Sequence, residues 1–136
     1  MNVSKVIYTG DLRTEATHLR SGIKIITDAP LDNQGKGEAF SPTDLMATST
    51  ATCMLTIMGI AARTHNINMD GTTVEVVKIM ADNPRRISEI HTILQIPDND
   101  LTDKQKAILE NAATTCPVML SLHPDIKKEI IFNYLK

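Results

Sequence analysis

The chain has 136 residues, 42% of them hydrophobic, which is enough for one globular domain over 1–136 with its own core. A formal net charge of −2, an aromatic content of 3% and the lack of Trp exclude the basic footprint of nucleic-acid binders and the aromatic surfaces on which bases or sugars stack. No apolar run reaches the ~20 residues that a bilayer span needs, and the N-terminus lacks the pattern of a signal peptide. We therefore expect a cytoplasmic protein without nucleic-acid or membrane partners.

The first third of the chain has the pattern of β structure. Short segments rich in β-branched residues alternate with turn signals at Gly10 and at Ser21-Gly22. We predict three strands followed by a loop that is rich in Gly and Asp: strands at 3–9, 15–19 and 23–27, and a loop at 28–39.

A long helix is the best-marked element. Ser41 suits the N-cap, Pro42 suits the first helical position, and Asp44 completes a capping box. The helix should extend to about Thr64 and, because it is apolar nearly all round over 45–62, it should be buried.

The remainder predicts a mixed α and β arrangement. Thr102 and Gln105 have the spacing of a second capping box, and Cys116-Pro117 suits the start of a short helix that ends at His123-Pro124. The predicted elements are strands at 72–80 and 87–96, a helix at 102–114, the short helix after 116, and a final strand at 126–135. The fold class is therefore α+β.

The chain contains only two cysteines, and they occupy different settings. Cys116 is expected at a helix N-cap, where backbone N–H groups favour a thiolate, whereas Cys53 lies about three turns inside the long helix. Spacing alone nominates Cys116 as the more activated thiol. Two readings stay open: a redox pair, or two inert buried residues.

Three motifs resemble the OsmC/Ohr family of osmotically inducible proteins C and organic hydroperoxide resistance proteins: Ser41-Pro42-Thr43-Asp44-Leu45, Ala51-Thr52-Cys53 and Cys116-Pro117-Val118. The resemblance covers essentially the whole chain. It implies antiparallel sheets around a long buried central helix, an intertwined homodimer with active sites at the subunit interface, and a thiol-dependent peroxidase that needs no cofactor or metal.

The resemblance also implies roles for both cysteines. Cys53 would be the peroxidatic residue, whose thiolate attacks an organic hydroperoxide and becomes a sulfenic acid. Cys116 would be the resolving residue, which forms a disulfide with it that an external dithiol reduces. A cation beside Cys53 would reconcile this order with the dipole argument, and Arg13 is the best match, with Arg20 second.

In the family, a glutamate holds the arginine, and this chain has no carboxylate at the corresponding position. The family's glutamate position falls on Thr43, and the acid stands one residue later, at Asp44. In a continuous helix, nine residues separate Asp44 from Cys53, or about 13 Å along the axis and half a turn around it, which favours a capping role. Asp44 remains a candidate catalytic residue, and Glu38 is a further one.

Two alternatives to the peroxidase follow from the same residues. The lack of an acid at Thr43 suggests a protein of this fold that binds a small apolar ligand without peroxidase activity, and a purely structural dimer is a third possibility. Four methionines either line an apolar channel or fill the core: Met46, Met54, Met58 and Met119.

Overall fold

The computed structural model describes residues 2–136. The chain divides into two compact units, one ending at Met46 and the other running from Ala47 to Lys136. The single domain that the sequence predicts over 1–136, including Met1 outside the described residues, stays a prediction.

The first unit is built on a three-stranded antiparallel sheet. Its strands are β1 (Ser4–Gly10), β2 (Arg13–His18) and β3 (Lys24–Asp28), in the order β1-β2-β3. The turn between β1 and β2 is tight, because Gly10 pairs directly with Arg13. Gly10 has a φ of 101° there, a conformation that only glycine adopts without strain.

Both faces of this first sheet carry exposed apolar side chains. Val6 is 59% exposed and its neighbour Ile7 is 57% exposed. Because successive residues of a strand point to opposite faces, exposed apolar side chains lie on both faces of β1.

The helix α1 (Pro42–Thr64) begins as the sequence predicts. The Ser41 hydroxyl accepts a hydrogen bond from the Asp44 backbone N–H at 3.1 Å, and the Asp44 carboxylate accepts one from the Ser41 N–H at 3.0 Å. These reciprocal bonds confirm the capping box and stabilise the first turn.

The expected burial of α1 holds for one face of the helix in the described chain. Its buried residues recur at helical spacing on one face, while Met46 is 45% and Ile60 is 59% exposed. The buried positions are Ala47, Thr50, Ala51, Met54, Met58 and Ala62.

By its length and its mean hydropathy of 1.6, α1 could also cross a membrane. The core helices of soluble proteins share this property.

The second unit contains a three-stranded sheet and two further helices. The strands β4 (Thr73–Ala81), β5 (Arg86–Pro97) and β6 (Lys127–Leu135) lie in the order β4-β5-β6. Between β5 and β6 come α2 (Asp103–Thr114) and α3 (Pro117–Ser121).

The α+β class is thus confirmed, with one difference in strand direction. The sequence predicts antiparallel sheets, and β4 pairs with β5 in that way, but β5 and β6 are parallel. The two helices supply the long crossover that a parallel pair requires.

Candidate active site

Cys116 is the N-cap residue of α3. Pro117 occupies the first helical position, and the Cys116 Sγ accepts a hydrogen bond from the Met119 backbone N–H at 3.4 Å. The backbone N–H of a residue at this position has no partner inside the helix. Proline, which has no N–H, is therefore favoured there. The local sequence therefore determines where this sulfur lies.

The thiols of Cys53 and Cys116 meet. Both are free cysteines, and the Cys53 thiol lies close enough to Cys116 to influence its titration although 63 positions separate them in the sequence. Cys53, on α1, is half-buried, whereas Cys116 has 0% of its surface exposed. The structure brings the two cysteines together, and the redox pair stays a prediction.

Burial sets the electrostatics of Cys116. Loss of solvent raises the pKa of its thiol, the Met119 N–H opposes that shift, and the neighbouring Cys53 adds to it. Burial therefore opposes the dipole argument, which nominates Cys116 as the more activated thiol. Its helix has only five residues, so the field at its N-terminus is small beside the cost of burying a charge.

Apolar side chains surround the two sulfurs. Cys116 belongs to the larger hydrophobic core, and Cys53 packs against that same core. Its other members include Met54, Met58 and Met119, so these three methionines fill the core, while Met46 is 45% exposed.

Arg13 is the centre of a charged cluster in the first unit. It begins β2 opposite Asp28 at the end of β3. Its Nε donates to Asp28 Oδ1 at 2.7 Å, and its Nη2 donates to Asp28 Oδ2 at 2.8 Å and to Glu38 Oε1 at 2.9 Å. The two bonds to Asp28 have the bidentate geometry that fixes a guanidinium in orientation as well as position.

Asp28 is held as firmly as Arg13. Its side chain has no exposed surface, and its Oδ2 also accepts the Glu38 backbone N–H at 3.1 Å. The Arg13 hydrogen bonds hold the pKa of the Asp28 carboxyl below its ordinary value, with burial opposing them. The same pairing raises the pKa of Arg13, so the pair is ionised at neutral pH.

Sequence reasoning missed Asp28, which it assigned to the start of a loop. The turn signal at Ser21-Gly22 indicates that the second and third strands pair, but the observed register is centred between Arg20 and Ser21, and only that register places Asp28 opposite Arg13. Glu38, the further candidate, does contact Arg13.

The other candidates lie elsewhere in the first unit. Arg20 is exposed in the turn between β2 and β3. The Asp44 carboxylate bonds to the backbone of Ser41, and the Thr43 hydroxyl lies 3.3 Å from the Ser41 hydroxyl. These contacts serve the start of α1, and a part for Asp44 in chemistry stays a prediction.

Among residues 2–136, no group of three or more His, Cys, Asp or Glu side chains is arranged to hold a metal ion.

Comparison with known proteins identifies the family. The family model of OsmC-like proteins matches residues 35–130, so the chain belongs to the OsmC-like family. No curated protein matches it.

Solved structures agree with this assignment. A Psychrobacter arcticus protein, provisionally named as an osmotic stress induced and detoxification response protein, is 59% identical with a TM-score of 0.93, over 98% of this chain and 96% of that one. An OsmC-like protein of Mycoplasma pneumoniae is 16% identical, with a TM-score of 0.81 and the same coverages. The organic hydroperoxide resistance protein OsmC of Legionella pneumophila is 15% identical, with a TM-score of 0.71 over 98% of both chains. The two distant structures support the fold alone.

Proposed function

We propose that the protein is a thiol-dependent peroxidase that reduces organic hydroperoxides, with Cys53 as the peroxidatic and Cys116 as the resolving cysteine. The observation that carries the proposal is the contact between these two thiols inside one apolar core. A pair in contact can form a disulfide without a large movement of the backbone.

The proposed cycle has three steps. The Cys53 thiolate attacks the terminal oxygen of the hydroperoxide, the O–O bond breaks, and the alkoxide leaves and takes up a proton to give an alcohol. Cys53 is now a sulfenic acid, and the Cys116 thiol displaces its hydroxyl as water to form a disulfide. An external dithiol restores both thiols and is itself oxidised to a disulfide.

The division of labour agrees with the environment of each sulfur. A hydroperoxide must reach the attacking thiolate, and Cys53 is the more exposed of the two. The raised pKa of Cys116 keeps it a thiol, which suits a residue that waits for the sulfenic acid.

Arg13 is the proposed cation for the Cys53 thiolate. Its two bonds to Asp28 and its bond to Glu38 would keep the guanidinium in one orientation while its charge assists the chemistry. Asp28 would then do the work for which the family uses a glutamate at the position of Thr43.

Organic hydroperoxides are favoured over hydrogen peroxide because the neighbours of both thiols are apolar. An alkyl or acyl chain gains free energy by leaving water for such surroundings, about 0.8 kcal/mol per CH₂ group. Hydrogen peroxide has no such group.

A cytoplasmic homodimer is part of the proposal. The exposed apolar side chains on both faces of the first sheet and the exposed side of α1 suit coverage by a second copy of the chain.

The test is consumption of cumene hydroperoxide with excess dithiothreitol by the wild type, Cys53→Ser and Cys116→Ser. We expect turnover to vanish in Cys53→Ser and to stall in Cys116→Ser as a sulfenic acid or mixed disulfide on Cys53. Serine is a good N-cap residue, so Cys116→Ser should keep α3 intact and act as its own folding control. Wild-type protein that leaves the peroxide untouched under several reductants would overturn the proposal.

One observation favours a second candidate, a binder of a small apolar ligand. The position of the family's glutamate is Thr43, whose hydroxyl lies beside that of Ser41. A binder of this kind would keep its ligand affinity in Cys53→Ser, whereas the peroxidase would lose its activity.

A further inference from the structure

The two sulfurs of the proposed pair differ in access. Cys116 has no exposed surface and belongs to the same core cluster as Leu109, Ala113 and Met119. Cys53 is half-buried. Thiol–disulfide exchange requires the attacking sulfur to reach one sulfur of the disulfide, so its outcome depends on which sulfur can be reached.

The structure also provides for a departing Cys116 sulfur. The Met119 N–H points at the Cys116 Sγ at 3.4 Å, and an N–H donor stabilises a thiolate as that sulfur leaves. Because the pKa of this thiol is raised, its thiolate is a slower leaving group, but the thiolate takes up a proton readily once it has left. Access decides between these effects, since an enclosed sulfur cannot be attacked until the core opens.

We propose that an external thiol reduces the oxidised protein by attacking the Cys53 sulfur and expelling Cys116. A reductant thiolate forms a new S–S bond to Cys53, the Cys53–Cys116 bond breaks, and its electron pair leaves on the Cys116 sulfur, which takes up a proton. A second thiol then attacks the reductant's sulfur and releases Cys53. The inference rests on the proposed function in one respect: it describes the reductive half of the proposed peroxidase cycle.

The experiment identifies the position of the mixed disulfide. The protein is oxidised with diamide, exposed briefly to 2-mercaptoethanol, quenched with acid, and treated with N-ethylmaleimide at mildly acidic pH. Trypsin places the cysteines in separate peptides, Cys53 in 37–63 and Cys116 in 107–127. We expect 2-mercaptoethanol on the first and N-ethylmaleimide on the second, in an excess of about tenfold or more over the reverse pattern, because exchange follows access.

The same oxidised protein in concentrated guanidinium chloride is the matched control. Unfolding removes the difference in exposure, so the two patterns should become comparable. An adduct chiefly on Cys116 in the folded protein, an unchanged ratio in denaturant, or failure of diamide to join Cys53 to Cys116 would overturn the inference. Because diamide replaces the peroxide, a protein with no peroxidase activity can still give the expected adduct, and the two proposals therefore fail separately.

Discussion

Arg13 and Asp28 face each other across the β2–β3 ladder, and two hydrogen bonds of 2.7 and 2.8 Å join the guanidinium to the carboxylate. The carboxylate is enclosed, while 28% of the arginine side chain is exposed. Part of the guanidinium is thus open to solvent while its orientation is fixed by two bonds to Asp28 and one to Glu38.

Asp28→Asn should reduce both stability and peroxidase activity. The substitution removes the charge that pairs with Arg13, which is then left without its enclosed partner. Urea unfolding should show a lower midpoint for Asp28→Asn than for Glu38→Gln, because the Glu38 side chain is 65% exposed. The value of kcat/KM should also fall more in Asp28→Asn than in Arg20→Lys, the exposed control. Equal midpoints for the two acid variants would contradict the ranking.

The pH dependence of unfolding should carry the signature of Asp28. Its pKa is lower in the folded protein than its ordinary value, so the unfolded chain binds more protons between those two values. The stabilisation is complete above the ordinary pKa of about 3.9 and is lost as the pH falls through the folded value. Urea titrations at a series of acidic pH values should therefore show a flatter dependence in Asp28→Asn, and an unaltered slope would count against the pairing.

The two cysteines should differ in reactivity in the reduced protein. Iodoacetamide at neutral pH should label Cys53 first, because Cys116 is enclosed and its pKa is raised. Each unit by which a pKa rises lowers the thiolate fraction about tenfold. Mass spectrometry of the two tryptic peptides over time measures both rates, and in denaturant they should converge. Faster labelling of Cys116 in the folded protein would reverse the assignment.

Asp44→Asn and Asp44→Ala together separate capping from chemistry. The carboxylate accepts the Ser41 N–H, and an asparagine oxygen can do the same, so Asp44→Asn should keep both the melting temperature and the activity. Asp44→Ala removes the acceptor and should destabilise the protein by about 0.5–1 kcal/mol, the usual effect of losing part of a cap. If Asp44→Asn melts normally but loses peroxidase activity, the charge of Asp44 takes part in the reaction.

A homodimer should be visible in solution. Sedimentation equilibrium should give twice the 15.0 kDa of the chain. Ile7→Lys places a charge among the exposed apolar side chains of β1 and should weaken the association, whereas Lys5→Arg on the same strand should not. A wild-type protein that sediments as a monomer would leave those surfaces without the proposed partner.

Local chemistry made parts of this structure predictable. Capping boxes depend on residues three positions apart, so Ser41 with Asp44 and Thr102 with Gln105 could be identified from spacing, and both are present. The N-cap position of Cys116 follows in the same way from Pro117.

Features that depend on distant parts of the chain were harder to predict. The parallel pairing of β5 with β6 depends on how the crossover folds back, and the pairing of Asp28 with Arg13 depends on strand register. The burial of Cys116, which opposes the argument from the helix dipole, reflects its place in a core cluster that includes residues of α2. None of these is encoded within a few residues.

The long separation of Cys53 and Cys116 along the chain has a consequence for the lifetime of the protein. A disulfide between them would close a loop spanning 63 positions, and the loss of unfolded-chain entropy from a loop of that size corresponds to about 4 kcal/mol. The oxidised protein should therefore resist heat and proteases better than the reduced one. A cell under peroxide stress would then hold this protein in its more durable form for as long as reducing thiols are scarce.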